Sequence, residues 1–299
     1  MSRLPSHGRY QFSPIRDRPI FDWRSGARLA VYVAINVEAY AFGAGLVEEI
    51  VPGGPQPDVL NYSWRDYGNR VGVWRLLDLL NELSLPCAAL LNSEIYAEAP
   101  QIPAAFRARG DEIVCHGRTN SERQGDRDEI DERALIAEAT AAIAVHEGAA
   151  PQGWLGPWIS ESTRTPDLLH EAGYRYTLDW CADDQPIWMR TRSGHLLAVP
   201  YPQEANDSNA IVARRMGAAD FADLIVDNFE EMRSQARSGP PIVMGIALHT
   251  YVAGQPFRLR HLRRAFAHIA ARRDGVWITT PAAIARRFAD ACPPPQAAQ

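Results

Sequence analysis

The sequence predicts an α/β chain, a (β/α) barrel of about seven parallel strands that takes up most of its length. Three observations carry this expectation. Short apolar, β-branched runs alternate with segments of helical periodicity. The connections between them are short, as in βαβ units. The 299 residues suit one large α/β barrel as well as two smaller domains. No self-similarity at a spacing of roughly 20 to 50 residues is present, which excludes a solenoid or propeller.

The first strand is expected at 28–37, an apolar run that stops abruptly at polar and Gly-rich sequence, as a buried central strand does. Val71, Trp74, Leu77, Leu80 and Leu83 then recur close to helical spacing and predict a helix over 68–83. A short apolar strand follows at 87–91. The rhythm repeats with a helix at 103–109, a strand at 112–115, a helix at 129–147 and a short strand at 152–155. A helix at 162–172 leads to strands at 174–178 and 195–199, a helix at 218–234 and a strand at 242–248. A helix at 259–271, a strand at 276–278 and a last helix at 281–288 complete the pattern.

Composition narrows the function. The 31 basic and 36 acidic residues leave a net charge of −5, with 46% hydrophobic and 22% charged residues, an ordinary globular balance. Without a block of basic residues the usual electrostatic footprint of a nucleic-acid or anionic-membrane binder is missing, so neither partner is expected. No window reaches the ~18 uninterrupted apolar residues of a membrane helix. The N-terminus, interrupted by Pro5, Pro14 and Pro19, lacks the apolar centre of a signal peptide, and a cytoplasmic location is expected. Cys87, Cys115, Cys181 and Cys292 are far apart with no CxxC pair, so reduced, mostly buried thiols are expected rather than disulfides or a thiolate zinc site. Gly43-Ala44-Gly45 fails the GxGxxG pattern at Glu48, so nucleotide binding is not indicated.

In a barrel of parallel strands, reacting groups belong just beyond the strand C-termini. Four runs end in polar residues: Asn36-Val37-Glu38, His116 to Asn120, Asp179 to Asp184, and His249. A carboxylate at Glu38 ligates a metal, serves as a general base or caps a loop. His116 and Asn120 are four residues apart, which on a helical turn aims both side chains the same way, although asparagine is a poor zinc ligand. His249 ends so apolar a run that its imidazole is expected to face a cavity. Asp179, Asp183 and Asp184 place three carboxylates within six residues, either a crowded site with a raised pKa or a solvated acidic loop. The aromatic residues Tyr40 and Trp64 in the long first loop, with Trp158 further on, suit a flat ring ligand better than core packing alone.

Taken together, Gly153-Trp154, Asp179 with residues 182–186, Pro200-Tyr201, Ala205-Asn206-Asp207, and Leu248-His249 with Gly254-Gln255-Pro256 resemble the polysaccharide deacetylase superfamily (NodB-homology, carbohydrate esterase family 4). The resemblance spans roughly residues 20 to 290 and is closest to its allantoinase and cyclic imide hydrolase (PuuE-type) branch. It implies a distorted (β/α) barrel over 26–290, between an N-terminal extension at 1–25 and a tail at 291–299. The superfamily's typical deacetylase motif is two adjacent aspartates, one a base and one a metal ligand, followed by an HxxxH pair. Here Asn36-Val37-Glu38 and His116 to Asn120 stand in those places. Asn36 takes no proton, and zinc on Glu38, His116 and Asn120 would be weakly held, so the expectation is that no cofactor is required.

The implied reaction is hydrolysis of a ring C–N bond in a small cyclic amide or imide. Glu38 or His249 would deprotonate water, and His116 and Asn120 would orient the substrate or stabilise the oxyanion. Asp179 or Asp183 would hold an imidazolium or protonate the leaving nitrogen. Asn36 and Arg118 join Tyr40, Trp64, Asn120 and Trp158 as expected substrate contacts. Relatives of this type often form dimers or tetramers, so a homo-oligomer is expected. The alternatives are a metal-dependent polysaccharide N-deacetylase and a noncatalytic binding protein on the same barrel.

Overall fold

The computed structural model describes residues 6–43, 49–50 and 52–295. Of the Gly43-Ala44-Gly45 stretch only Gly43 is described, and residues 1–5 of the extension and 296–299 of the tail lie outside the described residues.

The sheet is organised around β1 (Leu29–Val37), whose nine residues are all buried. β8 (Ile242–His249) runs parallel to it along one side, from Leu29↔Ile242 to Asn36↔His249. The other side is shared by β9 (Val276–Thr279) over the first half and β2 (Ala88–Leu91) over the second. From β2 the sheet continues through β3 (Glu112–Cys115), β4 (Gly153–Trp154), β5 (Tyr176–Thr177) and β7 (His195–Ala198), all parallel. The outermost strand is β6 (Ile187–Arg190), antiparallel to β7. That hairpin strand is absent from the sequence-based reading. Its lone Trp188 and Met189 sit among proline, arginine and aspartate, too short a run to register as a strand.

The sheet curls into a half-barrel rather than closing. β8 and the β6–β7 hairpin do not pair, and the seam is spanned by coil. Val243 N–H donates to the carbonyl of Asp184 (2.8 Å) and Ala247 N–H to that of Ala205 (2.9 Å). This departs from a closed barrel because the coil, not a strand, satisfies the free edge of β8. It also delivers residues 206–209 to the open end of the sheet beside His249.

Strand periodicity decides what faces inward. Val31, Val33, Ile35 and Val37 of β1 join the core under the helices, whereas Ala30, Tyr32 and Ala34 join the core inside the half-barrel. Asn36 and Glu38 continue the inward parity. The same alternation places Val114 inside and Cys115 outside, so His116 turns in, and Val243 and Ala247 inside, so His249 turns in. Burying each large apolar residue of β1 contributes roughly 1.5–3 kcal/mol, which makes this strand a rigid mount for the two polar groups at its end.

The helices cover the outer face, chiefly α2 (Val73–Leu83), α4 (Gln101–Arg109), α5 (Glu129–Glu147), α6 (Thr165–Glu171), α7 (Ala218–Ala236) and α9 (Pro256–Ala270). The helix expected over 68–83 is longer. It begins as α1 (Val59–Tyr67), capped by Asp58, and passes through a π-turn at Gly68–Gly72 into α2. Gly72 is required there, because a Cβ would collide with the carbonyl oxygen of Thr250, just after His249. Two further short helices are α3 (Ile95–Glu98) and α8 (Thr250–Ala253). α10 (Pro281–Ala291) supplies Ile284 and Phe288, which with Trp23 plug the lower end of the half-barrel. The N-terminal segment is tied down by Arg9, whose guanidinium grips Asp167 at 2.6 and 2.8 Å. All four cysteines are free, Cys87 and Cys115 buried and Cys181 exposed. Among the described residues no helix is long and apolar enough to cross a membrane.

Candidate active site

At the C-terminal end of the strands lies a cavity of about 220 Å³ lined by Asn36, Glu38, His116, Asn120, Trp158 and His249, with Tyr201, Gln203, Asn206, Ser208 and Asn209 from the seam coil and the turn after it. The residues singled out at three strand ends thus converge. His116 and Asn120 do so without the helical turn their spacing suggested. Gly117, at φ +64°, reverses the chain, and Asn120 N–H donates to the carbonyl of Ala39 (3.0 Å).

Glu38 is 4% exposed. The Tyr40 hydroxyl donates to its Oε2, and Asn120 Nδ2 donates to Oε1 at 2.6 Å. The Nε2 atoms of His116 and His249 stand 3.5 and 3.8 Å from the same Oε1. Burial works to raise the Glu38 pKa, but the two histidines and the Tyr40 hydroxyl outweigh it and hold the carboxyl below its ordinary value. His116 donates through Nδ1 to the carbonyl of Leu155 (2.8 Å), leaving a buried Nε2 without a partner. His249 donates through Nδ1 to Asp207 Oδ1 (2.7 Å), and both Asp207 oxygens also accept the His249 backbone N–H (3.0 and 2.9 Å).

The orientation of Asn120 follows from a chain of bonds. Ala39 N–H can only donate, so the Asn92 Oδ1 beside it (2.8 Å) is the acceptor. Asn92 Nδ2 then faces the carbonyl of His116 and, at 3.1 Å, Asn120 Oδ1. Asn120 must therefore turn its amide nitrogen to Glu38, and an amide nitrogen is no metal ligand. This corrects the expectation that Glu38, His116 and Asn120 form a weak zinc set: Asn120 is a donor to Glu38. The donors present do not fit the zinc of the superfamily's deacetylases, and among the described residues no group of three or more His, Cys, Asp or Glu side chains is arranged to hold a metal ion.

Other expected site residues lie elsewhere. Asp183 is a correction: it forms a two-point ion pair with Arg18 of the N-terminal segment, at 2.7 and 2.5 Å, outside the cavity lining. Arg118 is another, its guanidinium bound by Glu122 and Glu138. Trp64 packs edge-on to Tyr251, ring centroids 4.8 Å apart, and Tyr40 stands behind Glu38 with its ring also against Tyr251, so neither ring faces the cavity. Trp158 does line it, on a turn where Trp158 and Ile159 hold φ of 68° and 53°, a strained conformation for bulky residues.

Asp179 lies behind the cavity wall rather than in it. Its carboxylate accepts from Gly156 N–H (2.7 Å) and the Thr177 hydroxyl (2.9 Å), bracing the Leu155-Gly156 segment against which His116 leans. Its neighbour Glu161 was not singled out by the sequence. The residue is partly exposed but its Oε1 is buried, and burial and the Asp179 charge push its pKa well up. Asp179 is also raised, first by burial, while the Glu161 contact counters it, so the two carboxyls share a proton. A raised folded pKa means that this bond's stabilisation is full below the unfolded glutamate value of roughly 4.3 and is lost as pH rises through the folded value. Glu161→Gln, whose amide donates at every pH, is expected to hold its melting temperature as pH rises through that window while wild type loses some. Parallel melting curves would refute the shared proton.

Asp207 is the main residue that the pattern reading left without a role. It lies between β7 and α7 where no strand or helix periodicity operates, and Asn206-Asp207-Ser208 looks like a chance sequon. Its place in the resemblance to the deacetylases was the one available signal.

The curled, mostly parallel half-barrel with its polar cluster at the strand C-termini is the fold of solved allantoinase and polysaccharide deacetylase structures. No family model matches the chain. The solved structure of "Puue Allantoinase" superposes with a TM-score of 0.84 at 26% identity, covering 95% of this chain and 99% of that one. A "probable Polysaccharide deacetylase from Pseudomonas aeruginosa PAO1" superposes with a TM-score of 0.81 at 26% identity, covering 91% and 94%. In sequence, a Schizosaccharomyces pombe protein named "Putative polysaccharide deacetylase" is 28% identical over 279 residues, covering 88% of this chain and 86% of that protein.

Proposed function

We propose that the chain hydrolyses a ring C–N bond of a small, uncharged cyclic amide or imide, with the His249–Asp207 pair as base and no metal in the step. The observation that carries this is the cavity lining. It holds one carboxylate, two imidazoles, the amides of Asn36, Asn120, Gln203, Asn206 and Asn209, and, among the described residues, no arginine or lysine. Such a lining recognises a neutral molecule rich in N–H and C=O groups, and about 220 Å³ suits one heterocycle. The likeness to an allantoinase structure supports the same class.

With Nδ1 of His249 bonded to Asp207, Nε2 is the nitrogen on the side of Glu38 and the cavity. A water touching Nε2 and Glu38 Oε1 loses its proton to His249 as its oxygen bonds to the ring carbonyl. Asp207 and Glu38 stabilise the imidazolium. The tetrahedral intermediate collapses with cleavage of the ring C–N bond, and His249 returns the proton to the leaving nitrogen. His116, with Nδ1 donating to Leu155, offers Nε2 as acceptor for the substrate's ring N–H. An imide nitrogen leaves more readily than a simple amide's, which lowers the demand on the site.

The test is ring opening of succinimide, hydantoin, dihydrouracil and allantoin, with N-acetylated sugar oligomers alongside, before and after exhaustive chelation and with metal content measured. Turnover of a ring by chelated, metal-free protein is the expected result. Sugar deacetylation without ring opening, or ring turnover lost on chelation and restored by zinc, would overturn the reading.

A further inference from the structure

We propose that the Tyr201 hydroxyl is a catalytic donor, holding the reacting carbonyl oxygen of the substrate and the oxyanion it becomes. The proposal rests on the ring-hydrolysis reading above and adds the electrophilic group that reading lacks.

The carbonyl of Leu248 can only accept, so the Asn36 side-chain atom 3.2 Å from it is the amide nitrogen. The same nitrogen donates to the Tyr201 hydroxyl oxygen at 3.2 Å. Tyr201 is thus the acceptor in its bond with Asn36, and its own proton has no acceptor among the described residues. The residue is 5% exposed and lines the cavity with Glu38, His116 and His249. Burial, then the neighbouring Glu38 and Asp207 carboxylates, keep the hydroxyl protonated far beyond neutral pH, against the opposing effect of the Asn36 bond. The result is a neutral, buried donor in the lining of the cavity that also holds both histidines.

This gives Asn36 a purpose. An aspartate at this place would accept the Tyr201 proton, whereas the asparagine donates and so frees that proton for the substrate. In the step, water oxygen bonds to the carbonyl carbon, the C=O π pair moves to oxygen, and the hydrogen bond from the Tyr201 hydroxyl shortens onto the developing charge without transferring its proton. When the C–N bond breaks, the carbonyl re-forms and the contact relaxes.

Tyr201→Phe removes the hydroxyl and keeps the ring. Loss of one donor at an oxyanion is expected to lower kcat roughly 10²–10³-fold, with KM and melting temperature nearly unchanged. A polyfluorinated tyrosine at 201, which packs as tyrosine but ionises at lower pH, is expected to retain activity at low pH and lose it as its phenol ionises, a limb wild type lacks. Wild-type protein inert on every ring overturns the ring-hydrolysis reading and this role with it. An active wild type with an equally active Tyr201→Phe, or a fluorinated variant with the wild-type pH profile, overturns the Tyr201 role alone.

Discussion

Asp207→Asn is expected to lower kcat for ring opening by about four orders of magnitude while KM changes little. The asparagine fits the space and its oxygen can still accept the His249 backbone N–H. Its amide nitrogen, however, then faces Nδ1, now 2.7 Å from a carboxylate oxygen. A donor at that place moves the imidazole proton to Nε2, and the nitrogen facing the cavity loses the lone pair that takes the water's proton. Because Asp207 itself does not line the cavity, substrate binding is spared. Steady-state kinetics with a check of folding by circular dichroism reads the outcome. A kcat within about tenfold of wild type would transfer the base role to Glu38.

That this residue escaped pattern reading while its partner did not has a physical reason. His249, Glu38 and His116 are legible because each ends an apolar strand, where a strict two-residue alternation tells which side chain turns inward. Asp207 belongs to the turn that follows the seam coil, and coil has no period to read. The acidic loop shows the converse failure. Asp179 and Asp183 look alike in sequence, but Thr177 and Gly156 draw the first inward, while Arg18, 165 positions away, takes the second in an ion pair. Arg118 had a local competitor in plain view, Glu122 at i+4, which binds it. Trp64 and Tyr40 were read as ring platforms from their place in a long loop, yet both pack against Tyr251, Trp64 from α1 and Tyr40 from the segment just after β1.

Glu38→Gln is the second large effect expected, a fall in kcat of roughly 10²–10⁴-fold with the fold retained. The amide can meet both neighbours. Its oxygen accepts from Asn120, whose orientation the Asn92 chain dictates, and its nitrogen donates to Tyr40, whose hydroxyl can turn to accept. What disappears is the charge, and with it the partner of a positively charged His249 and one of two contacts on the attacking water. The same charge has a signature in stability. A folded pKa held below the unfolded value of roughly 4.3 means that Glu38 contributes stability that is present above that value and lost as pH falls through the folded one. Chemical denaturation at neutral and acid pH should therefore show wild type more stable than Glu38→Gln at pH 7, with the gap closing as the solution is acidified. A gap independent of pH, or a kcat within about threefold of wild type, would show that the buried carboxylate serves packing rather than the reaction, and the water would have to be held by His249 alone.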